Sequence, residues 1–67
     1  MKFEDFENKW NKIVQADYMV EIYLSSSENF YIHADKYYVV SENRIIDFER
    51  DGTFIGRVPL NQIKRMK

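Results

Sequence analysis

The sequence contains no cysteine, so neither a disulfide nor a thiolate metal site can stabilise it. Glycine and proline are scarce, at two residues and one, which is untypical of a disordered segment. The apolar runs span only a few residues, and Glu4, Asp5 and Glu7 stand where a signal peptide would carry basic residues. We therefore expect a cytoplasmic protein that is neither exported nor inserted in a membrane.

Positive and negative charges are nearly balanced, with a formal net charge of −1. This balance argues against a role dominated by nucleic-acid backbone, because such affinity comes from neutralising several phosphates at once. What the chain does contain is 45% hydrophobic and 16% aromatic residues in a length of 67. That material is enough for one small core, so we expect a single domain over residues 1–67 with a stability of a few kcal/mol.

The first apolar residues follow a helical period. Their spacing of three, four, three and one places all five within an arc of about 100° on a helix. They are Phe3, Phe6, Trp10, Ile13 and Val14. Acidic residues occupy the first turn, where the helix dipole favours them. The pattern predicts an amphipathic helix over about residues 3–15.

The rest of the chain has strand periodicity, in which apolar and polar residues alternate. The predicted strands cover about residues 19–25, 29–34, 37–41, 44–50 and 53–59. The polar run 25–29 predicts the turn of a first hairpin, and Pro59 should close the fifth strand because it cannot donate to a ladder. Residues 60–66 form a short turn or a final strand.

Arg50-Asp51-Gly52 is the strongest turn signal in the chain. A two-residue Asp-Gly turn would pair Ile46 with Arg57. A three-residue loop with Gly52 in the left-handed region would instead pair Phe48 with Phe54 and leave Ile55 on the outer side. We favour the three-residue loop because it keeps the apolar residues on one face.

These elements predict an α+β fold, in which the N-terminal amphipathic helix packs on a four- or five-stranded antiparallel meander or a small SH3-like barrel. The sequence does not decide which of Tyr37/Tyr38 and Val39/Val40 face inward. The predicted core comprises Phe3, Phe6, Trp10, Ile13, Val14, Val20, Ile22, Leu24, Phe30, Ile32, Val39, Ile46, Phe48, Phe54, Val58 and Leu60.

In element order the chain resembles the SH3-like and Sm-like small barrels. Sm proteins carry glycines in their first strands and an Arg-Gly pair near their end, which help them bind RNA. This sequence has Ser25-Ser26-Ser27 and Arg65-Met66 in those regions. The resemblance therefore implies the barrel topology without the RNA-binding residues.

A second resemblance rests on Val20-Glu-Ile-Tyr-Leu24, Ala34-Asp-Lys-Tyr-Tyr-Val39, the Asp51-Gly52 turn and Val58-Pro-Leu60. These strings are similar in style to small proteins of Gram-positive bacteria and their phages. The similarity implies an accessory or prophage protein that acts by binding.

The sequence contains few residues that could support catalysis. His33 is the only histidine, and with no cysteine it lacks partners for a metal site or a nucleophile and base pair. The two glycines cannot form a phosphate-binding loop. We expect no catalytic residues, no metal and no cofactor, and hence a protein that is not an enzyme.

Aromatic side chains predict a binding surface instead. Tyr23, Tyr31 and His33 should be neighbours on the outer sheet face, with Tyr37 or Tyr38 extending the row. Such residues anchor protein partners or stack bases, although tyrosine also favours strands for its own packing. Our first hypothesis is a non-enzymatic protein-binding module of the phage or prophage type, acting on an unknown partner through this face.

Two alternatives remain. A nucleic-acid-binding small barrel requires basic residues to converge beside the tyrosines. The candidates for that patch are Arg44, Arg57, Lys64, Arg65 and Lys67. A self-associating structural domain would use the tyrosine face or a sheet edge to build a homo-oligomer, which adds burial that a short chain lacks.

Overall fold

A computed structural model describes residues 1–25 and 30–67 of the chain. Helix α1 is followed by strands β1 to β5, a short 3₁₀ helix and strand β6. Their bounds are α1 Phe3–Gln15, β1 Val20–Leu24, β2 Tyr31–Ala34, β3 Lys36–Val40, β4 Ile45–Arg50, β5 Thr53–Pro59, the 3₁₀ helix Leu60–Gln62 and β6 Ile63–Met66. The turn predicted over 25–29, and the predicted start of the second strand at residue 29, lie outside the described residues apart from Ser25.

The strands form two antiparallel three-stranded sheets, in the orders β2-β1-β6 and β3-β4-β5. The helix covers an inner face of this arrangement, which confirms the predicted α+β class. Residues 60–66, expected to be a turn or a strand, contain both: β6 pairs with β1 and completes the first sheet. No helix in residues 1–25 or 30–67 has the length and apolar character needed to cross a bilayer.

Helix α1 has the predicted bounds and ends in a Schellman motif. The amide of Asp17 donates to the carbonyl of Val14 at 3.0 Å, and the amide of Tyr18 donates to that of Ile13 at 3.4 Å. The motif requires a left-handed residue, and Asp17 supplies it with φ of 66°. Glycine usually occupies this position because a Cβ atom is strained there.

We expect Asp17→Gly to raise the free energy of unfolding by about 1 kcal/mol, because it removes left-handed strain and an acidic charge from the helix C-terminus. Chemical denaturation measures the change. Asp17→Ala is the matched control, since it removes the charge but keeps the Cβ atom. An equal gain in the alanine variant would contradict the backbone explanation.

The centre of the core is aromatic. Phe6 and Trp10 project from α1 onto Tyr37 of β3 and Phe48 of β4. The Tyr37 ring meets Phe6 edge-on, with ring centroids 4.9 Å apart, and Trp10 edge-on at 4.8 Å. Aromatic rings prefer this edge-to-face geometry. The sequence did not decide which of Tyr37 and Tyr38 faces inward. In the structure Tyr37 faces the helix and Tyr38 faces away.

The β4-β5 hairpin corrects the predicted loop. Arg50 pairs with Thr53, so the turn contains only Asp51 and Gly52, which have φ of 51° and 80°. Two left-handed residues are what a type I′ turn requires, and its twist matches that of the strands. The preferred three-residue loop is wrong.

A bulge in the same hairpin explains the error. The register shifts between Phe48 and Glu49, so that Phe54 pairs with Glu49 while Gly56 pairs with Phe48. Phe54 is consequently 60% exposed, whereas Ile55, predicted to lie outside, packs against the core. An unbulged two-residue turn would pair Ile46 with Arg57. Because of the bulge, Ile46 pairs with Val58 instead.

The two sheets come close together where Gly56 of β5 faces Ile32 of β2. A Cβ atom built on Gly56 would lie 3.1 Å from Cδ1 of Ile32. That separation is tighter than an ordinary carbon contact, so the glycine makes room for the isoleucine. The absence of a side chain at this position lets the sheets share one core.

Four residues predicted for the core are exposed, namely Val14, Phe30, Val39 and Phe54. Phe30 precedes β2, and Val39 lies on β3, which is an edge strand among the strands of residues 1–25 and 30–67. Three buried residues were missed, namely Ala34, Ile63 and Met66. The remaining predicted core residues are buried or pack against the buried cluster.

Candidate functional site

The outer face of the β2-β1-β6 sheet brings together most of the predicted surface residues. Antiparallel register sets Tyr23 opposite Tyr31 on one side and opposite Arg65 on the other. The next pair along is Glu21 with His33. Residues that alternate along a strand share a face, so these side chains form one surface. We call it the tyrosine face, comprising Glu21, Tyr23, Tyr31, His33, Arg65 and Lys67.

Tyr23 lies at the centre of this face, between aromatic and cationic neighbours. Its ring stacks with that of Tyr31, with centroids 5.4 Å apart and planes inclined by 30°. The guanidinium carbon of Arg65 lies 4.5 Å from the Tyr23 centroid, and Nζ of Lys67 lies 5.2 Å from it. Both distances are within cation–π range. The central ring is thus held by contacts from both neighbouring strands.

The Tyr23 hydroxyl is also fixed. It donates a hydrogen bond of 2.8 Å to Oε2 of Glu21, two residues back on the same strand. This bond to the carboxylate raises the pKa of Tyr23, with burial and the charge of Glu21 acting in the same direction and Arg65 opposing them. A raised phenol pKa means that the folded state favours neutral Tyr23.

We expect Glu21→Gln to lower the pKa of Tyr23 towards its ordinary value, because a neutral amide removes the carboxylate charge. An NMR titration of the tyrosine rings measures it. By linkage, the stability from this hydrogen bond is complete below the pKa of the unfolded phenol and is lost as pH rises through the folded one. Glu42→Gln, in an exposed turn, is the control. An unchanged Tyr23 pKa in Glu21→Gln would contradict this assignment.

The other two candidate tyrosines do not extend the row. Tyr37 belongs to the core, where burial and the nearby Glu7 carboxylate raise its pKa. Its hydroxyl donates to Oε2 of Glu7 at 3.4 Å. Tyr38 is 53% exposed on the outer face of the second sheet, opposite Asp47. Only Tyr23, Tyr31 and His33 of the five candidates share a surface.

The predicted basic patch is divided. Arg65 and Lys67 lie beside Tyr23, as described above. Lys64 lines a shallow groove between α1 and β6, together with Lys9 and Lys12 of the helix. Arg44 lies in the turn after β3, and Arg57 lies on β5 in the second sheet. Two of the five basic candidates therefore accompany the tyrosines.

Arg57 has a partner of its own. Its Nε and Nη2 atoms donate to the two carboxylate oxygens of Asp47, at 2.7 and 3.0 Å. The paired guanidinium lowers the pKa of Asp47, and the carboxylate raises that of Arg57. This bidentate pair joins strands β4 and β5 in the second sheet and does not involve the tyrosine face.

Within residues 1–25 and 30–67, no group of three or more histidine or acidic side chains is arranged to hold a metal ion. His33 has Glu21 as its cross-strand neighbour. The arrangement offers aromatic rings and fixed charges for contact with another molecule.

Comparison with known protein families, with curated proteins and with solved structures finds no match. Function is therefore argued from the side chains themselves.

Proposed function

We propose that this protein is a non-enzymatic binding module that engages a partner protein through the tyrosine face. Tyrosine and arginine are the residue types in which binding energy concentrates at protein interfaces. The observation that carries the proposal is the ordered row Tyr31–Tyr23–Arg65, in which the central ring contacts both neighbours. A row that is already ordered loses little side-chain entropy on binding.

The charges of the face support a partner with an acidic surface. Arg65 and Lys67 contribute two cations beside Tyr23, while the one carboxylate, that of Glu21, already accepts the Tyr23 hydroxyl. Complementary charge of this kind accelerates association and is screened by salt. An accessory or regulatory protein of the phage or prophage type is a role compatible with such a surface.

Single-stranded nucleic acid is the second candidate, favoured by the combination of tyrosines with Arg65 and Lys67. Base stacking needs an accessible ring, however. The Tyr23 ring has Tyr31 on one neighbouring strand and Arg65 on the other, so the more accessible platform is Tyr31, at 51% exposure. One open ring and two cations make a small nucleic-acid site, which is why we place a protein partner first.

Affinity capture from a lysate of the source organism, with and without nuclease treatment, tests the proposal, using the native chain, Tyr31→Ala and Tyr38→Ala. The two tyrosines are matched, since they are 51% and 53% exposed on different sheets. We expect a protein that the native chain and Tyr38→Ala retain and Tyr31→Ala loses. Calorimetry with that protein should show an affinity loss of about tenfold or more in Tyr31→Ala.

Three outcomes would reject the proposal. If Tyr31→Ala retained every captured protein, the tyrosine face would not be the binding surface. Loss in Tyr38→Ala alone would assign binding to the second sheet. Capture that depends on nucleic acid, and that disappears after nuclease treatment, would favour the second candidate.

A further inference from the structure

A groove of about 470 Å³ lies at one end of the fold, away from the residues of the tyrosine face. The N-terminal residues, the turn between β3 and β4, and the end of β5 line it. The apolar residues of its lining include Phe3, Ile45, Pro59 and Leu60. A volume of this size falls in the range of small-molecule sites in proteins.

The charges that line the groove have one sign. Lys2 and Arg44 are both exposed, and none of the lining residues is acidic. No hydrogen bond or ion pair joins either cationic side chain to another of the described residues. The guanidinium group presents donors in a planar fork that matches a carboxylate. The groove is therefore complementary to an apolar molecule with one negative end.

The turn that carries Arg44 is strained. Ser41, Glu42 and Asn43 all have left-handed backbones, with φ of 52°, 54° and 65°. Left-handed backbone is unfavourable for any residue with a Cβ atom, and none of these three residues is glycine. Strain of this kind concentrates at ligand-binding segments, where it fixes a side chain in position.

Hydrogen bonds hold this turn to the opposite wall of the groove. The amide of Arg44 donates to the carbonyl of Ser41 at 3.0 Å, which closes the turn. The amide of Leu60 donates to the carbonyl of Arg44 at 2.8 Å, which joins the turn to the 3₁₀ helix. The apolar wall and the backbone of Arg44 therefore have a fixed relative position before any ligand binds.

We propose that this groove binds a small monocarboxylate with an apolar tail, such as a medium-chain fatty acid. The carboxylate contacts Arg44 and Lys2, and the tail lies along Phe3, Ile45 and Leu60. The site is independent of the tyrosine face, so either function can fail without the other.

Octanoate is the probe, with octan-1-ol and octylammonium as ligands of the same tail and different charge. A ¹H–¹⁵N NMR titration of the full chain should show saturable octanoate binding, with a dissociation constant of about 1 mM or below. The largest shifts should fall on residues 43–45 and 60–61. Octylammonium should bind at least about tenfold more weakly, because Arg44 and Lys2 repel it.

Arg44→Ala should weaken octanoate binding by about tenfold, the loss expected for one charge-assisted hydrogen bond. Arg50→Ala is the matched control, an exposed arginine outside the groove. Circular dichroism verifies folding, and Lys2→Ala replaces Arg44→Ala if the latter unfolds. The proposal is overturned by shifts that map elsewhere, by equal binding of octylammonium, by an unchanged affinity in the folded variant, or by no saturable binding.

A comparison with peptides distinguishes the two possible sources of the carboxylate, a fatty acid and a protein C-terminus. An apolar pentapeptide with a free C-terminus is compared with its C-terminally amidated form. Tighter binding of the free-acid peptide than of octanoate would overturn the fatty-acid assignment and identify the groove as a site for a protein C-terminus.

Discussion

Replacing Phe48 with alanine is expected to unfold most of the protein at room temperature, whereas replacing Phe54 is expected to change its stability by less than about 1 kcal/mol. The two phenylalanines lie six residues apart on one hairpin. Phe48 is fully buried and Phe54 is 60% exposed. Their side chains are identical, so any difference in outcome comes from their surroundings.

The size of the Phe48 effect follows from its contacts. Its ring lies 6.1 Å from that of Phe6 and 6.2 Å from that of Trp10, so removing it opens a cavity beneath the helix. Phenylalanine-to-alanine substitutions in cores cost about 3–5 kcal/mol. A domain of this length has a total stability of about the same size.

Thermal and urea denaturation of the native chain and both variants measure these effects. A cooperative transition in Phe48→Ala at the native midpoint would contradict the buried position of that ring. A large loss in Phe54→Ala would contradict the observed register, in which Phe54 pairs with Glu49 on the outer side of the hairpin.

The second large effect is expected from Ile63→Asp, which places a carboxylate in the core at a position that the predicted core did not include. Ile63 is 5% exposed and pairs with Leu24 of β1. An unpaired charge buried there costs several kcal/mol. We expect Ile63→Asp to be largely unfolded at neutral pH.

The pH dependence identifies the cause. Burial raises the pKa of the introduced carboxyl group in the folded state, so its penalty is present at neutral pH and decreases as pH falls towards the ordinary range of a carboxyl group. Relative to the native chain measured at each pH, Ile63→Asp should therefore recover stability between pH 7 and about pH 4. Denaturation midpoints across this range provide the measurement.

Asn61→Asp is the control for this experiment, since residue 61 is exposed and carries the same introduced charge. Its stability should stay within about 0.5 kcal/mol of the native chain. Comparable destabilisation by Asn61→Asp would show that charge near the C-terminal strand, and not burial of Ile63, is responsible.

Part of the candidate site could be predicted from the local sequence pattern, and part depends on tertiary contacts. Strand alternation was enough to predict that Tyr23, Tyr31 and His33 share a face, because the period of two and the hairpin register are local properties. The approach of Arg65 and Lys67 to Tyr23 depends on β6 returning to pair with β1. That contact joins residues more than forty positions apart and has no signal in the local pattern.

The groove was not predicted at all, and its chemistry was hard to detect for a physical reason. Lys2, Arg44 and Leu60 are far apart in sequence, and each one is unremarkable in its own segment. The one available signal was Ser41-Glu42-Asn43, which marked a chain reversal without glycine. Left-handed backbone at all three residues follows from closing that reversal between paired strands.

The sequence by itself determined the helix, the alternation of the strands, the position of the chain reversal at Asp51-Gly52 and the α+β class. These follow from side-chain period and backbone preference, which act over a few residues. The tertiary structure alone decided that Tyr37 and not Tyr38 faces the helix, that the bulge turns Phe54 outward, and that β6 completes the first sheet. Whether a residue is buried depends on which other segments pack against it, and in the part of the chain that the structure describes α1 is the one α-helix that covers the sheets.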